Sequence, residues 1–452
     1  MSEFSLISER ALQIWKAGVQ AVDSESLVFN AIQITGNTLS ICGQSITLNG
    51  QEKLLVVGAG KAGSGMAAGV EAAVRGFDLE KRTSGWVNVP ADCVRPLSLI
   101  HLHSARPASL NEPTAEGVFG SLQILQQISS LNPDDICLVL ISGGGSALLP
   151  APLPPVTLED KQVVTRLLMS TGATIQELNC VRKQISQVKG GRLAKAATCD
   201  TMIALIISDV VGDPLEIIAS GPTVADTSTP DEAVKILQRL IKSPQQVPES
   251  VWSVLTAEQK HAEKQMGSKK ITVNNHIIGS NQTALEAAKQ TARECGYETY
   301  SLGSENEGTA IQTGIELAEL CLKIRDRADP VSRPACILSG GEPVVDLSST
   351  PKPGKGGRNQ EVVLAAMQRL WNEDISKICI LSGGTDGEDG PTDAAGGILD
   401  SIIMHRAHEL QLETDMFLRD HNSYPCLVEA GGLLKTGATQ TNVMDLRVAL
   451  VE

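Results

Sequence analysis

Short apolar runs alternate with helical stretches along almost the whole chain. The runs are LLVVGAG, GWVNVP, ICLVLISGG, MIALIISD, HIIGSN, ACILSGGE, ICILSGGTD and DLRVALV. This alternation predicts an α/β fold with largely parallel sheets. Helix start signals support it. Thr157 opens TLEDKQVVTRLLMSTG as a TxxD capping box, with Gly172 as its C-terminal stop. Thr174 to Glu177 repeats the box, and Pro230 sits in the first turn of PDEAVKILQRL.

At 452 residues the chain exceeds one hydrophobic core and predicts two or three domains. The polar stretch 243–270, with SPQQVPES and TAEQKHAEKQMGSKK, reads as the linker. The expected domains are 1–262 and 263–452. A Ser-Gly-Gly pattern recurs after apolar strands at Ser142–Gly144, Ser339–Gly341 and Ser382–Gly384. These read as strand-to-loop turns, where α/β proteins bring backbone to a ligand.

Composition narrows the function classes. A formal charge of −14 argues against nucleic acid and anionic membranes as partners. Any anionic substrate must be met by local Lys and Arg, by backbone N–H groups or by a metal. Aromatics at 3% leave few platforms for stacking. The ten cysteines form no CxxC pair and read as buried hydrophobes of a reducing compartment. MSEFSLISERALQIWKAG lacks a signal pattern, and no apolar run approaches the roughly 20 residues that span a bilayer. The expectation is a cytoplasmic protein acting on small molecules, compatible with a homo-oligomer.

The glycine loops carry the candidate chemistry. In LLVVGAGKAGSGMA, Gly58, Gly60 and Gly63 satisfy GxGxxG, with Lys61 among them. A dinucleotide site wants an acid about 20 residues past the glycines, at the end of the second strand. Asp78 and Glu80 come before that strand, and Asp92 lies 92 − 63 = 29 positions beyond Gly63. A Walker loop fails too, since Lys61 does not follow the glycines. What remains is a helix N-terminus expected to offer unpaired N–H groups to an anion, with an ammonium beside it.

In LISGGGSALLPAPLPPVT, Gly143, Gly144 and Gly145 between Ser142 and Ser146 can form a nest of N–H groups for a carboxylate or phosphate. ELNCVRKQISQVKGGRLAKAA gathers Arg182, Lys183, Lys189, Arg192 and Lys195, and KGG breaks the helix so as to present cations. Asp209 and Asp213 follow an apolar strand, where a magnesium ion or a reacting hydroxyl is managed. Asp386, Glu388, Asp389 and Asp393 lie on a glycine-rich loop without EF-hand spacing. In PGKGGRNQE, Arg358 opens a helix where the dipole disfavours a cation, so an anionic ligand is its expected partner. Glu342, after ACILSGG, and Asn359 join the phosphate- or substrate-binding candidates. No HxxxH site, GxSxG elbow or Cys–His dyad appears. The set fits phosphoryl transfer, in which a protein mainly positions reactants and neutralises charge.

GAGKAGSGMA, SGGGSALL, LNCVRKQISQVKGGRLA, SDVVGDPLEIIASGPT, KGGRNQE and SGGTDGEDGPTDAAGG resemble, in order, the motifs of the class II glycerate kinases. The likeness runs from about Lys53 to the end, TGATQTNVMDLRVALV included. It implies a Rossmann-like N-terminal domain, a MOFRL-type C-terminal domain and an active site in the cleft between them. It also implies ATP- and Mg²⁺-dependent phosphorylation of D-glycerate to 2-phosphoglycerate. The family's catalytic lysine and arginine fall on Lys61 and Arg358. Gly60, Ser142–Ser146, Arg182, Lys189, Asp209, Glu342 and Asn359 are then expected on glycerate or phosphate, and Asp209, Asp213, Asp386 and Asp389 supply one or two ligands to Mg²⁺. The chain departs from the pattern at HSARPASLNEP, where Arg106 stands at an expected histidine and Pro107 is kept. Relatives have also been labelled hydroxypyruvate reductases, so the alternative is an NAD(P)H-dependent reductase. A non-catalytic nucleotide-binding protein is the third reading.

Overall fold

The computed structural model describes residues 5–107, 112–262, 271–348, 350 and 352–452. Residues 1–4 of the N-terminal stretch, 108–111 of HSARPASLNEP and 263–270 of the expected linker lie outside it. The chain opens with helix α1 (Leu6–Ala21), whose buried face is Ile7, Ala11, Ile14, Trp15 and Gly18. A small antiparallel sheet follows, of β1 (Ile32–Thr35), β2 (Thr38–Ile41) and β3 (Gln44–Thr47).

The first large sheet comprises β4 (Leu54–Ala59), β5 (Thr83–Pro90), β6 (Ile100–Arg106), β7 (Ile136–Ile141), β8 (Thr201–Ile207) and β9 (Thr272–Gly279). Their order is β6-β5-β4-β7-β8-β9, and β6, β5, β4, β7 and β8 run parallel. Counted from β4, this is the 3-2-1-4-5-6 order of the Rossmann fold, whose ligand crevice opens where the order reverses. Here that point lies between the carboxyl ends of β4 and β7. Helix α2 (Gly63–Val74) follows β4; α3 (Leu158–Ser170) and α4 (Ile175–Gln184) come between β7 and β8. Both predicted capping boxes form, Thr157 with Asp160 and Thr174 with Glu177, and Pro230 opens its helix behind a third box at Thr229.

The second large sheet comprises β10 (Glu298–Ser301), β11 (Ala335–Gly341), β12 (Ile378–Gly384), β13 (Gly396–Leu399), β14 (Leu433–Leu434) and β15 (Asp445–Val451), in the order β10-β11-β15-β12-β13-β14. It is mixed, which corrects the expectation of largely parallel sheets throughout. The fully buried β15 slots between β11 and β12 antiparallel to both, and β12–β13 and β13–β14 are antiparallel as well. Helices α5 (Asn281–Glu294), α6 (Ala310–Arg327) and α7 (Arg358–Arg369) accompany this sheet. Two of the three Ser-Gly-Gly turns are corrected too, because Ser339–Gly341 and Ser382–Gly384 are strand residues of β11 and β12. A Cβ on Gly340 would stand 1.6 Å from Asn281 Oδ1, and one on Gly383 would stand 3.0 Å from Trp15. These glycines let helices lie close on the sheet.

Two compact units result, one of 1–23 with 279–452, the other of 24–278. The expected division at 262/263 differs at both ends. Helix α1 belongs with the second sheet: Trp15 Nε1 donates to Leu446 O (3.1 Å) and Ser8 Oγ to Asp400 Oδ2 (2.7 Å). Residues 249–262, expected as linker, are helical, and Val251 and Leu255 are buried with Val164 and Leu168 of α3. Among the described residues, no helix is long and apolar enough to cross a membrane.

Candidate active site

The turn after β4 is where GxGxxG meets the second glycine loop. The Lys61 amide donates to Gly143 O (2.8 Å), the Ala62 amide to Ser142 Oγ (3.0 Å) and the Gly63 amide to Gly60 O (3.1 Å). The 142–143 loop therefore takes the Lys61 and Ala62 amides, which lie ahead of the helix that begins at Gly63. Gly60 (φ +153°) is required for that contact, since a Cβ would stand 1.9 Å from Ser142 Oγ. The side chain of Lys61 is what the turn presents. Its Cγ and the buried Arg106 guanidinium both stand beside Gly144, 3.4 and 3.7 Å from where a Cβ would be. Gly144 (φ +74°) leads into Gly145 and Ser146 at the start of a short helix, Gly145–Leu148.

Ser146 is the focus of a cationic cluster in which Lys161 and Lys189 are buried and Arg182 half-buried. Lys189 Nζ donates to Ser146 Oγ (2.8 Å), Ala219 O (3.1 Å) and Ser220 Oγ (3.3 Å), and Arg182 Nη2 also donates to Ser146 Oγ. Ser220 Oγ in turn donates to Asn179 Oδ1 at 3.0 Å. Lys161 of α3 is the third cation, 1% exposed, and its Nζ has no partner among the described residues. Neither Lys161, Arg182 nor Lys189 makes an ion pair among the described residues, whereas Lys183 pairs with Asp226 (3.4 Å). Burial, then the charge of Arg182, lowers the Lys161 pKa to about 7. Burial lowers Arg182 to about 10, and burial with the neighbouring cations pulls Lys189 well below its ordinary range. Arg192 turns instead to Ser186 O (3.0 Å), and Lys195 is exposed. Asp209 and Asp213 lie half-buried in the loop after β8.

The other unit holds Arg358, the first residue of α7. Its Nε and Nη2 grip Asp445 at 2.7 and 3.0 Å, and Nη1 meets Glu342 at 3.0 Å. The cation that the dipole disfavours is thus held by two carboxylates of its own unit. Asp389 accepts the Asn359 and Gln360 amides at 3.0 and 2.9 Å, capping α7 from a distant loop. Burial raises the Asp389 pKa to about 7 against those amides. Asn359 is buried, its Nδ2 2.9 Å from Asp445 Oδ1 and its Oδ1 2.6 Å from Ser382 Oγ. Of the expected magnesium ligands, Asp389 fits least, since both oxygens are committed to helix amides. Asp386 Oδ1 accepts the Glu388 amide (3.0 Å). Among the described residues, no three His, Cys, Asp or Glu side chains converge as a metal site.

Three site residues escaped the sequence reading, and a fourth, Arg106, entered it only as a departure from the family pattern, although it ends a parallel strand. Lys161 shares the buried stripe of α3 with Val164 and Leu168, at helical spacing. Asn179 and Asp445 gave no local signal, Asp445 being the first residue of an apolar strand.

Residues 10–256 match a family described as a domain of unknown function (DUF4147), and residues 335–445 match the MOFRL family. Glycerate 2-kinase of Pyrococcus horikoshii is 36% identical over 98% of this chain and 97% of its own. The chain belongs to the glycerate kinase family. The crystal structure of Thermotoga maritima glycerate kinase superposes with a TM-score of 0.83 at 32% identity, over 99% of each chain. An Agrobacterium vitis protein provisionally named hydroxypyruvate reductase is 39% identical over 88% of this chain and 87% of its own.

Proposed function

We propose that this enzyme transfers the γ-phosphoryl group of ATP to the 2-hydroxyl of D-glycerate, giving 2-phosphoglycerate and ADP. The observation that carries the reading is the uncompensated cluster of the buried Lys161 and Lys189 with the half-buried Arg182 around Ser146. Burying cations without counter-charge costs several kcal/mol each, so the cluster favours an anionic partner such as the glycerate carboxylate. The hydroxyl oxygen attacks phosphorus, the bond to the β-phosphate oxygen breaks with its electrons leaving on ADP, and the hydroxyl proton passes to water. Lys61 and Arg358 offset the charge on the transferring group, which asks for positioning and neutralisation more than for covalent chemistry. Magnesium would arrive with the nucleotide and neutralise its phosphates, with one or two of Asp209, Asp213 and Asp386 supplying protein ligands.

The reductase alternative needs a pyrophosphate against the GxGxxG turn. At Gly60 that approach is taken by Ser142 Oγ, and the Lys61 and Ala62 amides are spent on the 142–143 loop. The deciding assay mixes purified protein with D-glycerate and MgATP, without nicotinamide, and resolves the phosphoglycerates by ³¹P NMR. The 2-phosphate is expected. Turnover seen only with NADH and hydroxypyruvate would replace the kinase reading, and the 3-phosphate would correct its regiochemistry.

A further inference from the structure

Beside Arg358 lies a cavity of about 530 Å³ within the unit of the second sheet. Its walls include Val344, Val345, Leu347, Pro353 and Pro391, with Arg358 at one side. Its volume falls in the range of small-molecule sites, roughly 300–1,000 Å³, and an apolar wall with a few placed polar groups is their usual make-up. Glu361 and His421 supply the polar groups. His421 Nδ1 lies 2.9 Å from Glu361 Oε2 and fixes that carboxylate, which is 2% exposed. Oε1 of the same carboxylate has no partner among the described residues. An unsatisfied buried acceptor costs free energy until a donor reaches it.

The chemistry here is unlike that around Ser146. Glycerate is small, anionic and polar, whereas this cavity is largely apolar and carries Glu342 and Glu361. It would repel a free acid and leave most of its wall uncovered. A flat heterocycle bearing N–H or O–H donors suits it, provided its anionic end leaves towards Arg358.

We propose that this cavity takes the nucleoside of the phosphoryl donor, its base between Val345, Leu347 and the prolines, an amino or hydroxyl donor on Glu361 Oε1, and its phosphates towards Arg358. The proposal rests on the kinase reading, because only a nucleotide donor requires such a place. It makes Glu361 a binding residue and His421 the group that orients it. Aliphatic and proline walls also suit a chain with so few aromatic residues for stacking.

Calorimetric titration of full-length wild type, Val345→Trp and Glu361→Gln with ADP, and with tripolyphosphate as the nucleoside-free probe, tests this. Val345→Trp fills the cavity and should weaken ADP at least about tenfold while leaving tripolyphosphate within about twofold. Glu361→Gln keeps the shape, and should weaken ADP about tenfold by unbalancing one buried hydrogen bond. It decides the matter should the tryptophan variant misfold. Unchanged ADP affinity in a folded variant, or equal losses for both ligands, overturns the proposal. Glycerate phosphorylation by the same wild-type preparation separates the two failures. Turnover with unchanged ADP binding in the variants removes the cavity assignment and leaves the kinase, whereas no turnover removes both.

Discussion

The two units treat their cations in opposite ways. Around Ser146, Arg182 and Lys189 share hydroxyls and a carbonyl, Lys161 Nζ has no partner, and none of the three makes an ion pair among the described residues. Around Arg358, a single guanidinium is clasped by Asp445 and Glu342, with Asp389 close behind. The first arrangement stores unfavourable self-energy that an arriving anion relieves, so it suits binding. The second has its charge already balanced and its plane fixed by two parallel bonds, so it suits orientation. A bidentate arginine gains geometric specificity from such a fork and keeps donors for another oxyanion.

Removing Arg358 should break the contrast most severely. Arg358→Ala is expected to lower kcat about 10³-fold, the lower end of what a charge-stabilising arginine contributes. Its melting temperature should fall more than that of Asp445→Ala: it leaves the fully buried Asp445 carboxylate without its cation, at a cost of about 3–5 kcal/mol, whereas Asp445→Ala leaves a half-buried guanidinium still paired with Glu342. Lys61→Ala should also abolish most turnover while melting like wild type; full activity would return Lys61 to the role of a solvated loop residue. Steady-state kinetics and thermal denaturation together read all three.

Lys161→Met sharpens the comparison from the other side. The variant should bind glycerate about tenfold more weakly yet be more stable without ligand at pH 7, because it removes an unpaired buried amine. The folded pKa of about 7 lies below the unfolded value, so the unfolded chain binds the extra proton between them. Wild-type stability therefore rises with pH from about 7 to 10.5, and the advantage of the methionine variant should shrink across that window. A constant advantage would mean that Lys161 carries the same charge in the folded and the unfolded chain across that window, and would overturn the lowered pKa.

The smallest effect is expected at Asp389. Its folded pKa of about 7 exceeds the unfolded value, so the folded chain holds the proton longer as pH rises from about 4 to 7. Stability should fall across that interval, and Asp389→Asn should flatten the slope in pH-resolved melts. The units would then titrate in opposite directions, in adjoining pH windows.

Much of this was legible in the sequence for local reasons. Apolar runs marked eight strands of the two large sheets, among them β4, β7, β11, β12 and β15, which are buried along their whole length, but not β6, β10, β13 or β14; Thr–x–x–Asp/Glu boxes fixed helix starts within one turn of chain. The short β1–β3 strands were missed because residues such as Gln33, Thr38 and Gln44 dilute their apolar pattern. Arg182 and Lys189 stood out as cations near a helix break. Lys161 did not, since lysine in LEDKQVV resembles a solvated face until α4 closes over it. Asp445 could not be assigned, because its meaning is set by Arg358, far away in sequence. The place of α1 was hidden for the same reason: its apolar face says that it packs, not on which sheet.

The unit of the second sheet is assembled from both extremes of the chain, with α1 contributed first and β15, its buried inner strand, last. On a ribosome, residues 24–278 can collapse as soon as they emerge, whereas α1 must wait for residues 445–451 to be made. Until then β11 and β12 have no strand between them. A nonsense mutation trimming only β15 would therefore unmake the Arg358 clasp together with the sheet, while leaving the Ser146 cluster intact on its own early-folding unit.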